Sequence, residues 1–179
     1  MQATNQQYDR EIEKCRDIFL KKAADYGTSW RVLRPVSVVD QIFIKAQRIR
    51  TIQEQGVQRV AEQTDNEFRG ILNYGIIGLI QLELQEDDPW EMPVEEVRRR
   101  YDEKVFVARS LMLDKNHDYG EAWRSMSQQS FTDLILMKLL RIRQILRNDG
   151  KTLISEGIDA NFNDIVNYAA FALIKIGEG

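Results

Sequence analysis

Lys22-Ala-Ala-Asp25-Tyr26-Gly27-Thr-Ser-Trp30-Arg31 returns 93 residues further on as Lys115-Asn-His-Asp118-Tyr119-Gly120-Glu-Ala-Trp123-Arg124. The same offset matches Tyr8-Asp9 with Tyr101-Asp102, Asp40 with Asp133, and Lys45 with Lys138. It also matches Arg48-Ile49-Arg50 with Arg141-Ile142-Arg143. Residues 8–52 and 101–145 agree at 18 of 45 positions without a gap, far above chance, so the chain is an internal duplication. A one-residue shift near Gly56 and Gly150 then aligns Glu62 with Glu156, Asp65 with Asp159, Phe68 with Phe162, and Asn73-Tyr74 with Asn167-Tyr168.

Each copy reads as three helices. The first spans roughly 6–24 and 95–116, with apolar residues at helical spacing: Ile12, Cys15 and Phe19, then Val105, Ala108 and Met112. Gly27 and Gly120 stop it. A loop follows, through Trp30 to Pro35 and through Trp123 to Gln129, and Ser37 and Ser130 are the candidate caps of the second helix. Gly56 and Asn148-Asp149-Gly150 mark the next turns, and the third helix covers roughly 62–84 and 158–176. A polar, proline-bearing connector, 86–94, separates the units at 6–85 and 95–177. The fold class expected is all-α: two tandem three-helix units packed as a pseudo-twofold helical bundle, because neither unit buries much alone.

Composition bounds the function. The 3 prolines and 10 glycines leave long uninterrupted elements. With 25 basic and 28 acidic residues, the net charge of −3 is not the footprint of a protein that grips nucleic acid polymers. A small phosphorylated ligand needs only a local positive cluster. One cysteine, Cys15, forms no internal disulfide, and one histidine, His117, gives no His-rich metal site. No apolar run reaches membrane-spanning length and residues 1–8 are polar, so a cytoplasmic location with no membrane partner is expected.

The repeated bend gathers the candidate binding groups. Trp30 or Trp123 offers a ring for a base or sugar; Lys22, Arg31, Lys115 and Arg124 offer cations for phosphate; Asp25, Tyr26, Asp118 and Tyr119 lie between them. The competing reading has the rings in the core and the aspartates capping or pairing. On the second helix Lys45 and Arg48, and their matches Lys138 and Arg141, lie about 60° apart on the border of an apolar stripe, so they must pair or meet a ligand. Asp40, Asp133 and acids of the third helix are the pairing candidates. On the last helix Asp164, Asn167 and Tyr168 share a face. Asp164 offers oxygen to a magnesium ion, while Asn167 and Tyr168 read equally as buried cross-helix hydrogen bonders. The matching position in the first copy is Gly70, with Glu67 one turn away.

The repeated Lys-x-x-Asp-Tyr-Gly-x-x-Trp segment, the later Asp-x4-Lys-x2-Arg-Ile and the terminal Asp-x2-Asn-Tyr together resemble the nucleotide modification associated domain 1 family, in two tandem copies. That resemblance implies a small-molecule nucleotide ligand and a role near modified nucleotides. The helical pattern is also distantly similar to the all-α nucleoside triphosphate pyrophosphatases of the MazG type, which implies magnesium held by acids. Asp164, with Glu156 or Asp159, resembles their second acidic motif, and their first, a glutamate cluster, is missing. On this reading Asp164 and Asp133 are the candidate catalytic carboxylates, Trp123 stacks a base, and Lys138 and Arg141 hold phosphate. The alternative, from a different class of function, is a helical scaffold whose repeated charges satisfy one another in a buried network. The duplication implies either a monomer with an internal pseudo-dimer or a homodimer.

Overall fold

The computed structural model describes residues 2–55 and 62–179, without the side chains of Glu62 and Gln63. Its helices are α1 (Gln2–Tyr26), α2 (Pro35–Gln55), α3 (Glu62–Glu83), α4 (Val94–Tyr119), α5 (Gln128–Arg147) and α6 (Ile158–Glu178). Short 3-10 turns at Ser29–Val32 and Ala122–Ser125 follow α1 and α4. Among the described residues no helix is long and apolar enough to cross a membrane.

The six helices form two roughly symmetric halves that pack together as three layers of two. α3 and α6 are the middle layer and make the most extensive contact; on one side α2 packs on α3 and α5 on α6, and on the other α1 and α4 each touch both central helices. The composition of α6 explains its place. All residues from Asn161 to Ile174 except Tyr168 are buried, and a helix that is apolar nearly all round belongs inside. Close approach of the central pair depends on small residues. A Cβ at Gly78 would lie 2.6 Å from the Phe162 ring, and one at Gly75 would lie 2.8 Å from Val166 Cγ2.

The halves exchange contacts reciprocally. Tyr8 Oη donates to Asn167 Oδ1 at 2.7 Å, and Tyr101 Oη donates to Asn73 Oδ1 at 2.8 Å. Each asparagine then donates from Nδ2, at 3.0 Å, to a backbone carbonyl in its own half, Asn167 to Ala108 and Asn73 to Cys15. Arg16 grips Asp102 at 2.7 and 2.8 Å while Arg109 grips Asp9 at 2.6 and 2.9 Å. Arg143 reaches Asp40 at 2.8 Å and Arg50 reaches Asp133 at 3.6 Å. Every one of these pairs repeats under exchange of the halves, which is the signature of an isologous interface.

The caps of the second helices differ from the sequence expectation. Ser37 and Ser130 lie inside their helices: α2 opens on Pro35, whose missing N–H costs nothing at a helix start, and α5 is capped by Ser127, whose side chain accepts from Ser130 N. The turn expected at Gly56 lies outside the described residues.

Tyr8→Phe strands the Oδ1 of Asn167, and Tyr101→Phe does the same to Asn73. Urea unfolding should show each variant losing about 1–3 kcal/mol, the cost of a buried unsatisfied acceptor. Losses within error of zero would show that the two tyrosines do not hold the halves together.

Burial also raises the pKa of the Tyr8 and Tyr101 phenols and pushes the Cys15 thiol up to about 12. These groups are neutral when folded but ionise in the unfolded chain near pH 8.5 for cysteine and 10 for tyrosine. Their contribution is therefore full below about pH 8 and is lost as pH rises, first through Cys15, then through the tyrosines. Cys15→Ala installs the residue of the matching position, Ala108, and should flatten the first part of that fall. Denaturation curves between about pH 7 and 10 test this, and an unchanged slope in the variant refutes it.

Candidate functional site

Gly27 and Gly120 end α1 and α4 with positive φ, 61° and 59°, a conformation that L side chains rarely adopt. The chain then tightens into its 3-10 turn, whose carbonyls are gathered by one residue of the central layer. Gln81 Nε2 donates to Arg31 O at 3.0 Å and Leu33 O at 2.7 Å. At the matching position Lys175 Nζ donates to Arg124 O at 3.1 Å and also to Met126 O. The arginines of the bends are engaged as well. Arg31 donates to Gln81 Oε1 at 3.0 Å and to Gln85 O; Arg124 donates to Thr4 and Gln7, both at 2.6 Å, and to Glu178 at 2.9 Å. Arg31 and Arg124 thus hold the bends in place.

In the first half the bend opens onto a cleft of about 610 Å³, lined by residues that include Phe19, Lys22, Tyr26, Trp30, Lys45, Glu67, Arg69, Gly70 and Tyr74. That volume falls within the range of small-molecule sites. Lys45 Nζ lies 3.5 Å from Glu67 Oε2 and 6.0 Å from the centre of the Tyr74 ring, and Arg48 takes the other Glu67 oxygen at 2.8 Å. Gly70 makes room for the lysine: a Cβ there would sit 3.0 Å from Lys45 Cε and 3.3 Å from Nζ. Lys22 is exposed and has no ion-pair partner among the described residues. Arg69 is held by Asp65 at 2.7 Å and Asn66 at 3.1 Å, yet its buried Nε has no hydrogen-bond partner. Counting lining side chains alone, three cations face one carboxylate.

The second half builds the same positions into a closed arrangement. Asp164 stands where Gly70 is, and its Oδ1 accepts from Lys115 at 2.6 Å and its Oδ2 from Lys138 at 2.7 Å. Lys138 and Asp164 are buried, while Lys115 is half exposed. Burial pulls the Lys115 pKa down, but the hydrogen bond and charge of Asp164 outweigh it, and the net shift is upward. Trp123 is buried and stacks on Phe171 at 4.3 Å and 6°, with the Arg124 guanidinium carbon 4.4 Å from the ring centre. These contacts take up ring surface that an incoming base would need. Phe171 matches Ile77, which lines the open cleft of the first half.

Other sequence candidates are distributed as follows. Tyr26 and Tyr119 are exposed, as are Asp25 and Asp118, the latter beside His117. Asn167 spends both ends of its amide on protein partners, so the structure uses it as a cross-helix hydrogen bonder. Tyr168 is half-buried near Phe131, and its phenol pKa is raised by burial and by Asp164, against the lowering charges of Lys115 and Arg141. Arg141 is exposed. Asp133 pairs with Arg50 on the outer α2–α5 seam, about 140° around its helix from Lys138.

Magnesium favours several oxygen ligands. Asp164 carries an ammonium on each oxygen, and Glu156 sits exposed on the loop before α6. Among the described residues no three of His, Cys, Asp and Glu come together to hold a metal ion. Two ammoniums around one carboxylate repel a divalent cation, so the residues at Asp164 do not fit one.

Arg69 escaped the sequence reading because its match is Asn163, so the duplication gave no signal there. Phe171 was equally silent, as one apolar residue in an apolar helix.

Asp164→Ala leaves Lys138 buried beside Lys115 without a counter-charge. Equilibrium unfolding should show a loss of about 3–5 kcal/mol, the usual cost of breaking a buried pair from one side. Lys22→Ala, at the position that matches Lys115 in the open half, should cost less than about 0.5 kcal/mol. Equal effects would mean that the two halves are electrostatically alike.

No curated protein and no solved structure matches the chain. The family model described as nucleotide modification associated domain 1 matches it twice, over residues 22–82 and 115–176. Each match begins at the lysine that opens the repeated bend and runs into the last helix of its half, so most of the chain is covered. The chain belongs to the nucleotide modification associated domain 1 family and carries two tandem copies of that domain.

Proposed function

We propose that the cleft of the first half binds a phosphorylated nucleotide. The observation that carries this reading is the cleft itself: Lys22, Lys45 and Arg69 share one wall system with Trp30, Tyr26 and Tyr74, in about 610 Å³. Ammonium and guanidinium groups suit phosphate oxygens, and Arg69 has a buried N–H still unpaired. Aromatic rings suit the base, which every nucleotide presents as a flat π-face. Family membership points to the same class of ligand. In this layout Lys22 and Lys45 take the phosphates, Trp30 and Tyr26 take the base, and Glu67 keeps Lys45 aimed. Gly70 leaves the phosphate end unobstructed.

The helical-scaffold reading is favoured by one observation, the closed Lys115–Asp164–Lys138 set of the second half. It applies to that half: there the repeated charges satisfy one another.

The test is calorimetric titration and thermal shift with nucleosides and with nucleoside mono- and triphosphates, each with and without magnesium. Binding should require phosphate, and Lys22→Ala with Lys45→Ala should weaken it about 10- to 100-fold, as expected for charge-assisted hydrogen bonds. Chromatography of the same samples reads turnover, since a pyrophosphohydrolase would leave nucleoside monophosphate and pyrophosphate. An equal response to nucleosides and nucleotides, or no response at millimolar concentration, would sink the reading.

A further inference from the structure

We infer that the second half holds a latent anion site, kept filled by the chain's own Asp164 carboxylate. The inference rests on the reading that Lys22 and Lys45 hold the anionic part of a ligand. Lys115 and Lys138 are the residues at the matching positions, and each lies within hydrogen-bond distance of a different oxygen of one carboxylate, 2.6 and 2.7 Å. Two ammoniums clamping two oxygens of one anionic group is how a pair of lysines would also grip a phosphate. In the first half the spot from which that carboxylate grows is Gly70, and the Lys45 stem passes 3.0 Å from the place of the missing Cβ. The carboxylate that fills the site in the second half is therefore missing at its matching position in the first, where the carboxylate nearest Lys45 is that of Glu67, at 3.5 Å.

The other end of the second half is shut independently. Trp123 and Phe171 stack at 4.3 Å, so no aromatic slot remains for a base. The ligand class of the latent site is therefore an inorganic phosphate chain, with no nucleoside part. Tethering makes Asp164 a strong competitor, because a carboxylate attached to the clamp is present at a high effective concentration.

The experiment titrates inorganic tripolyphosphate by calorimetry, at constant ionic strength, into the full chain and its Gly70→Asp, Asp164→Gly and doubly substituted variants. One site is expected in the unaltered chain, two in Asp164→Gly, none in Gly70→Asp and one in the double variant. Two sites in the unaltered chain, or one in Asp164→Gly with none in the double variant, overturns the latent site. No binding to the unaltered chain with one site in Asp164→Gly overturns the first-half reading and keeps this one; no binding to either overturns both. Should Asp164→Gly not fold, the near-isosteric Asp164→Asn takes its place. Tripolyphosphate should raise its melting temperature more than that of the unaltered chain, since ligand bound only to the folded state stabilises it. Equal rises overturn the inference.

Discussion

The reciprocal hydrogen bonds from Tyr8 to Asn167 and from Tyr101 to Asn73 are the constraint on which the rest of the molecule depends. Each ties the first helix of one half to the last helix of the other, between residues that are buried. A buried amide must use both ends, and each asparagine does so by also holding a backbone carbonyl of its own half. The effect is to set the level of α1 and α4 against the central layer. That level in turn decides where the Asp25-Tyr26-Gly27 and Asp118-Tyr119-Gly120 bends emerge. Because the same bends carry the repeated lysines and tryptophans, the position of the candidate sites follows from a pair of tyrosines that lie in neither.

On that common frame the candidate sites differ at several positions of the central layer. Gly70 against Asp164 and Ile77 against Phe171, with Glu67 and Arg69 against the uncharged Asn161 and Asn163, accompany an open cleft on one side and a closed, self-paired interior on the other. The energetics differ accordingly. Lys138 is buried and depends on its carboxylate, so its charge contributes to the fold. Lys22 stays in water, where a charge costs little and remains ready for a partner.

Much of the fold was readable in the sequence, for definite physical reasons. Shared residues at a fixed offset reveal duplication, scarce proline and glycine leave helices long, and Gly27 and Gly120 end them where a positive φ is needed. Lys45 and Arg48, on the border of an apolar stripe, had either to pair or to meet a ligand, and of the pairing candidates, Asp40, Asp133 and the acids of the third helix, the one beside them is Glu67. What a self-comparison cannot supply is the partner across the interface. It equates Tyr8 with Tyr101 but is silent on which asparagine either one meets, and Asp40 and Asp133 proved to face the opposite half's arginines. Nor does it register Arg69, whose counterpart has lost the charge. The open cleft depends on side-chain volumes at Gly70 and Ile77, and volume leaves no trace in periodicity.

The covalent connector between Glu83 and Val94 does more than join two similar folds. In a homodimer of identical single units, any substitution at the glycine position would appear in both sites at once, and a closing mutation would abolish binding altogether. Fusion removes that coupling. Once the two copies are encoded separately within one chain, one can trade its cavity for internal cohesion while the other keeps its opening. The symmetry of the scaffold is retained because the interface still requires it, whereas the cavities are free to drift apart in evolution.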